Sequence, residues 1–141
     1  LQVSETKTGD VLSTLPRMKD DEHIPFEYVQ RGDRDAALKA YADLKAANPN
    51  DEAVNEEALN NFGYTLLSAH LTEQARDLFF INMSLYPKSA NVYDSYAEAC
   101  LKLGDKKQAL EYYKRTLSMN PQNPNATHIV AELEKEGVKV K

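Results

Sequence analysis

The chain is predicted to be all-α, a short stack of antiparallel helix pairs. The apolar residues recur at helical spacing, and glycine is scarce, with 5 in 141 residues. Alanine, an aromatic residue and proline also return in a fixed register. Ala75, Phe79 and Pro87 are followed 34 residues later by Ala109, Tyr113 and Pro121. A fainter copy, Ala37, Tyr41 and Pro49, lies 38 residues upstream of the first set. A period of this size marks helix–turn–helix units that cannot bury their apolar faces alone and must stack on one another.

Residues 1–24 show no helical period and read as a linker or the remnant of an upstream domain. Leu1-Gln2-Val3 has the character of a strand start, whereas Thr8-Gly9-Asp10 and the acidic run Asp20-Asp21-Glu22 read as linker. Pro25 suits the first turn of a short helix, where its missing N–H costs nothing, and Gly32 is a left-handed C-cap. Asp33 caps the next helix, whose apolar positions are Ala37, Leu38, Tyr41 and Leu44, and Pro49 stops it. Residues 25–50 thus form a partial repeat. The segment from Asn50 to Glu57 carries the four residues that stretch the period to 38, as a longer loop or as one more helical turn.

Two full repeats follow, 56–89 and 90–123. The first pairs a helix around Leu59, Phe62, Gly63 and Leu66 with one around Ala75, Leu78, Phe79 and Met83. The second pairs Tyr93, Tyr96, Ala97 and Cys100 with Ala109, Leu110, Tyr113 and Leu117. Gly104-Asp105 separates the helices of the second pair, and Asp105 with Gln108 has capping-box spacing. His70 stands where Gly104 stands one period later, and histidine tolerates positive φ better than most residues. Asn123-Pro124 opens a capping helix over 123–136, with Ala126, Ile129, Val130 and Leu133 on one face and Thr127, His128, Glu132, Glu134 and Lys135 on the polar one. Gly137 ends it, and the tail from Val138 to Lys141 is expected to fray.

Each recurring residue has a mechanical task. Gly63 opposite Ala75, and Ala97 opposite Ala109, allow paired helices to approach; Phe79 and Tyr113 fill the gap between units; Pro87 and Pro121 end the second helices. On these residues the chain resembles the tetratricopeptide repeat (TPR) family over about 25–136, which implies a TPR-like α-α superhelix with a C-terminal capping helix. A narrower resemblance rests on Asn61-Phe62-Gly63-Tyr64, Leu66-Leu67, Asn82, the run from Pro87 to Ser95, and Asn120-Pro121-Gln122-Asn123. These are similar to TPR-like tails of bacterial serine hydrolases, β-lactamase-related or esterase-like, although Tyr96-Ala97 stands where those tails usually carry Leu-Gly.

The formal charge of −5 and pI near 5.2 argue against a nucleic-acid or anionic-membrane partner, because the basic residues are scattered among acids. No apolar run approaches the roughly 18–20 residues of a membrane span. The chain opens Leu1-Gln2 without Met and reads as a fragment or processed product, in the bacterial cytoplasm or periplasm according to its parent. The single cysteine, Cys100, cannot form an intramolecular disulfide and falls on a packed helix face. There is no Gly-x-Ser-x-Gly. Ser4-Glu5-Thr6-Lys7 matches Ser-x-x-Lys but lacks its partner motifs. His23, His70 and His128 are too far apart for a metal-ligand pattern, and no cofactor or catalytic residue is expected. The acids Asp51, Glu52, Glu56 and Glu57 fit a helix N-terminus and not a calcium loop. Asn82 occupies a slot where the repeat prefers a small residue, so its amide needs partners: a structural hydrogen bond to a neighbouring loop, or a ligand.

The TPR resemblance implies a non-catalytic module binding a protein or peptide on the concave face made by the first helix of each unit. The contact positions carried over are Asn60, Tyr64, Leu67 and Ser68, then Asn91, Asp94, Glu98, Leu101 and Lys102. Asn60 and Asp94 stand where the chaperone-binding subfamily needs a basic residue, and Glu98 would repel a carboxylate, so that clamp is not expected. The groove suits a neutral or basic segment, or is a solvated face without a ligand. The alternative is a structural tail packed on an upstream hydrolase domain of the same chain.

Overall fold

The computed structural model describes residues 24–140. The readings made of residues 1–23, including the strand-like start, Ser4-x-x-Lys7 and His23, lie outside the described residues, as does Lys141. The described helices are α1 (Pro25–Gln30), α2 (Arg34–Ala47), α3 (Glu56–Ser68), α4 (Thr72–Leu85), α5 (Ala90–Lys102), α6 (Lys106–Met119) and α7 (Pro124–Lys135). No strand occurs among the described residues.

The predicted stops and starts act through backbone chemistry. α2, α4 and α6 each end two residues before Pro49, Pro87 and Pro121, because the residue preceding a proline is driven out of the helical region. Pro25 and Pro124 open α1 and α7 at the first helical positions. Asp33, Asp105 and Asn123 cap α2, α6 and α7, each side chain accepting from a backbone N–H three residues on, at 3.1, 3.2 and 3.0 Å. Gly32, Gly104 and Gly137 take the left-handed conformation after their helices, and His70 does the same at φ 65°.

Three expectations need correction. The Asp105–Gln108 capping box is only half formed, because the Gln108 side chain turns away to accept from the Tyr96 hydroxyl at 2.8 Å. The tail does not come free at Val138: its N–H donates to the Leu133 carbonyl at 3.0 Å, closing a six-to-one turn after α7, and its side chain packs on the core. In α3, a Cβ on Gly63 would fall inside van der Waals distance of the Phe79 ring, so it is the aromatic ring that demands glycine there.

Of the two readings of the four-residue insertion, the structure adopts the longer connection. It contains a 3-10 turn, Glu52–Val54, capped by Asp51, whose carboxylate accepts from Ala53 N–H at 2.8 Å. Val54 is fully buried, so the connection plugs into the core. α4 and the turn behind it hold it there. The Tyr86 hydroxyl donates to the Val54 carbonyl, Asn82 Nδ2 donates to the Glu56 carbonyl at 3.1 Å, and Ser89 Oγ donates to the Glu56 carboxylate at 2.6 Å. Asn82 thus makes the structural bond to the neighbouring segment.

Consecutive helices pack as the pairs α3/α4 and α5/α6, with α4 on α5, α2 on α4, and α7 on α6. The core runs through the stack, and its largest fully buried side chains are Tyr113, Phe79, Leu78, Ile81 and Leu110. α7 is tied to α6 by Lys106–Glu136 and Lys114–Glu134, both 2.8 Å and about half exposed.

Candidate functional site

In a stack of this kind the first helices of successive pairs lie side by side, so side chains one period apart meet. The Tyr64 hydroxyl on α3 donates to Glu98 Oε1 on α5 at 2.8 Å, across 34 residues of chain. Ser95 Oγ donates to Asn60 Oδ1 at 2.6 Å and lies 3.2 Å from the Tyr64 hydroxyl oxygen. One helical turn before Glu98 on α5 stands Asp94, whose charged form is favoured by the side chain of Asn125 at the start of α7. The ring of Tyr64 stands edge-on to Phe79, with centroids 5.1 Å apart, so the network rests directly on the core.

Of the nine residues singled out in the sequence, the structure joins Asn60, Tyr64 and Glu98 in one hydrogen-bonded cluster, with Asp94 one helical turn before Glu98. Leu67 and Leu101 are half-buried against the core, and Ser68, Asn91 and Lys102 are exposed and outside the cluster. Sequence reasoning missed Ser95, Asn125 and the Tyr113 hydroxyl. Asn125 had a signal, since it stands 34 residues after Asn91 in the same register. Ser95 and the Tyr113 hydroxyl had none, because their roles depend on which way buried atoms point.

The electrostatics of this face are one-sided. Among the described residues no cation pairs with Asp94 or Glu98; the ion pairs lie elsewhere, at Lys39–Asp43, Arg76–Asp77 and the two ties of α7. Burial and the neighbouring Glu98 charge raise the pKa of Asp94. Tyr64 is pushed up to about 12, chiefly by burial. Tyr113 is fully buried and its phenol is raised by burial and then by the charges of Asp94 and Glu98. Neither the Tyr113 hydroxyl nor Asp94 Oδ1 has a hydrogen-bond partner.

Other chemistry is quiet. Cys100 is fully buried, and burial pushes its thiol up to about 11, so it stays protonated near neutrality. No described group of three or more His, Cys, Asp or Glu residues is arranged to hold a metal ion. No described helix is long and apolar enough to cross a membrane.

Known proteins place this architecture. A tetratricopeptide repeat family model matches residues 26–132. A probable biofilm formation methyltransferase, WspC of Pseudomonas putida, is 38% identical over 73 residues, which make up 51% of this chain but only 17% of that protein. Among solved structures, a point mutant of MamA superposes with a TM-score of 0.65 at 20% identity, covering 82% of this chain and 81% of that one. The first TPR of Spaghetti (RPAP3), solved with an HSP90 peptide, superposes at 0.56 and 20% identity, covering 79% and 86%. Pseudomonas aeruginosa pilF superposes at 0.56 and 22%, covering 80% of this chain and 50% of that one. With the family model spanning most of the described helices, the chain belongs to the tetratricopeptide repeat family.

Proposed function

We propose that this chain is a protein-interaction module that receives an extended segment of a partner along the α3–α5–α7 face, the concave side of a TPR superhelix. The observation that carries this reading is the bonding of Asn60, Tyr64, Ser95 and Glu98 across two repeats, which fixes polar groups in a row on a rigid backing. A row of pre-positioned polar groups lowers the ordering cost of binding. Leu67 and Leu101 add half-buried apolar surface beside the row. The RPAP3 domain was solved with the peptide SRMEEVD, an acidic sequence ending in a carboxylate. The carboxylates of Asp94 and Glu98 would oppose such a ligand here, so the segment is neutral or basic.

The test is site-specific photo-crosslinking in the native host, with the photoreactive residue placed at Asn91 on this face or at Ser84 on α4, both exposed. A discrete crosslinked species from position 91 and none from position 84 is the expected result. Equal or absent crosslinking at 91 removes the groove from consideration.

A second reading is a module of a larger enzyme that packs on the catalytic part of the same chain. The resemblance to hydrolase tails supports it, as does the methyltransferase relative, in which the matched segment is 17% of the protein. Under this reading the crosslink from position 91 forms within one polypeptide.

A further inference from the structure

We propose that the cleft shared by Arg34 on α2 and Arg76 on α4 takes a carboxylate, the side chain of an aspartate or glutamate on a partner protein. The cleft measures about 490 Å³, and Gln108 of α6 and the buried Tyr96 of α5 also line it. It is distinct from the α3–α5–α7 groove and does not rest on that reading. The Arg34 guanidinium lies over the Phe80 ring, 4.1 Å from its centroid. Phe80 stands one helical turn after Arg76 on α4, so the two arginine side chains are neighbours on one surface. A guanidinium held over a ring keeps its N–H edge for a planar acceptor.

The lining carries donors that the chain itself leaves unused. Arg34 is half-buried, and among the described residues no group accepts a hydrogen bond from it. Arg76 Nε is buried and likewise unpartnered, because Asp77 Oδ1 at 3.6 Å is too far for a hydrogen bond. The Arg76 side chain as a whole is within reach, being 32% exposed where it lines the cleft. Gln108 is exposed, and its Oε1 accepts from the Tyr96 hydroxyl at 2.8 Å, which leaves the amide nitrogen as the free end. The acids of the cleft are answered locally. Asp77 is buried beside Arg76, Asp33 caps α2 by accepting from Ala36 N–H at 3.1 Å, and Asp35 sits in the positive first turn of α2. Two guanidinium groups and an amide thus share one cavity as donors, the set that binds a carboxylate through paired N–H···O bonds. An amide in the carboxylate's place lacks the charge that strengthens those bonds.

The experiment titrates the 15N-labelled protein, at constant ionic strength, with blocked pentapeptides Ala-Ala-X-Ala-Ala in which X is glutamate or glutamine, and with inorganic phosphate. Arginine Nε–Hε and glutamine side-chain signals are followed in two-dimensional NMR. The glutamate peptide is expected to give saturable shifts at Arg34, Arg76 and Gln108, and the glutamine peptide to bind about tenfold more weakly or not at all. Phosphate is expected to bind no more tightly than the glutamate peptide. Arg115 is the internal control: its guanidinium lies 5.6 and 5.3 Å from the ring centroids of Tyr93 and Tyr112, outside the cleft, and its signal should stay still. Arg34→Lys keeps the charge and loses the fork, and is expected to lower the affinity for the glutamate peptide about fivefold to tenfold. Gln108→Ala, which leaves both arginines in place, should lower it less, with the fold of each variant checked by circular dichroism. Equal shifts with both peptides, or Arg115 moving as far as Arg34, would overturn the site, as would silence at the highest peptide concentration. Tighter binding of phosphate would overturn the carboxylate as its occupant. None of these outcomes touches the groove, which the crosslinking at position 91 decides.

Discussion

Gly63 sits inside α3, where glycine costs roughly 0.5–1 kcal/mol relative to alanine through lost backbone entropy. Its place there is set by Phe79, a fully buried ring that would collide with any Cβ and that is itself pinned by the edge of Tyr64. One period later the equivalent position holds Ala97, so alanine is compatible with the repeat but not with this ring position. Gly63→Ala should therefore destabilise the protein by about 1–3 kcal/mol, through overpacking that outweighs the helix-propensity gain. A urea midpoint higher than wild type would show that the ring yields instead. At Asp94 the folded-state pKa is raised above the ordinary 3.8. A carboxyl raised in the folded state binds protons more tightly when folded, so its contribution is fully present below that ordinary value and is lost as pH rises through the folded pKa. Asp94→Asn should remove this loss. The variant should gain stability relative to wild type as pH rises from about 4 to 7, read from urea unfolding at several pH values. A wild-type-to-variant difference that does not move with pH would contradict the assignment.

Among α2, α4 and α6, the second helices of their pairs, α4 is the one whose N-cap makes no side-chain hydrogen bond. Leu71 is its N-cap, half exposed, where Asp33 and Asp105 cap the equivalent helices α2 and α6. Leu71→Asp is expected to stabilise by about 0.5–2 kcal/mol and raise the melting temperature by a few degrees in a thermal scan. An unchanged or lower melting temperature would mean that the leucine's packing outweighs the missing cap. Helix boundaries of this kind were legible in the sequence because proline, glycine and Asp act locally. The insertion between α2 and α3 was not, since its decisive contacts come from Tyr86, Asn82 and Ser89, more than 25 residues away. Asn55, by contrast, caps α3 through a local bond from Ala58 N–H and was legible in principle, although sequence reasoning did not name it. Gln108 failed as half of a capping box because a tertiary partner, Tyr96, outcompeted the local one.

For the whole molecule, stability is expected to follow nearest-neighbour stacking, with each helix pair supported by the next. Ending the chain at Asn123 removes α7, including the fully buried Ala126 and the nearly buried Leu133. It also removes both lysine–glutamate ties, which as exposed pairs contribute little. The expected loss is on the order of 3 kcal/mol, mostly from uncovered apolar surface on α6, with a broader unfolding transition by circular dichroism. An unshifted, equally sharp transition would show that α7 is not a structural cap. The architecture was readable because periodicity is a property of the sequence itself. The candidate face was readable only in part: period arithmetic placed Tyr64 and Glu98 in equivalent positions of neighbouring repeats, but could not foresee that they bond each other. The partner is written nowhere in the chain, because recognition depends on a second molecule's chemistry.

The bonds from Tyr64 to Glu98 and from Ser95 to Asn60 bridge α3 and α5 on the face proposed as the inner wall of the coil. Considered as a spring, the protein has tie rods along that face of these two turns. Straightening the coil stretches the ties, whereas tightening it slackens them, so the molecule should be stiffer against opening than against closing. A partner that draws the inner wall together would meet the softer direction of the spring.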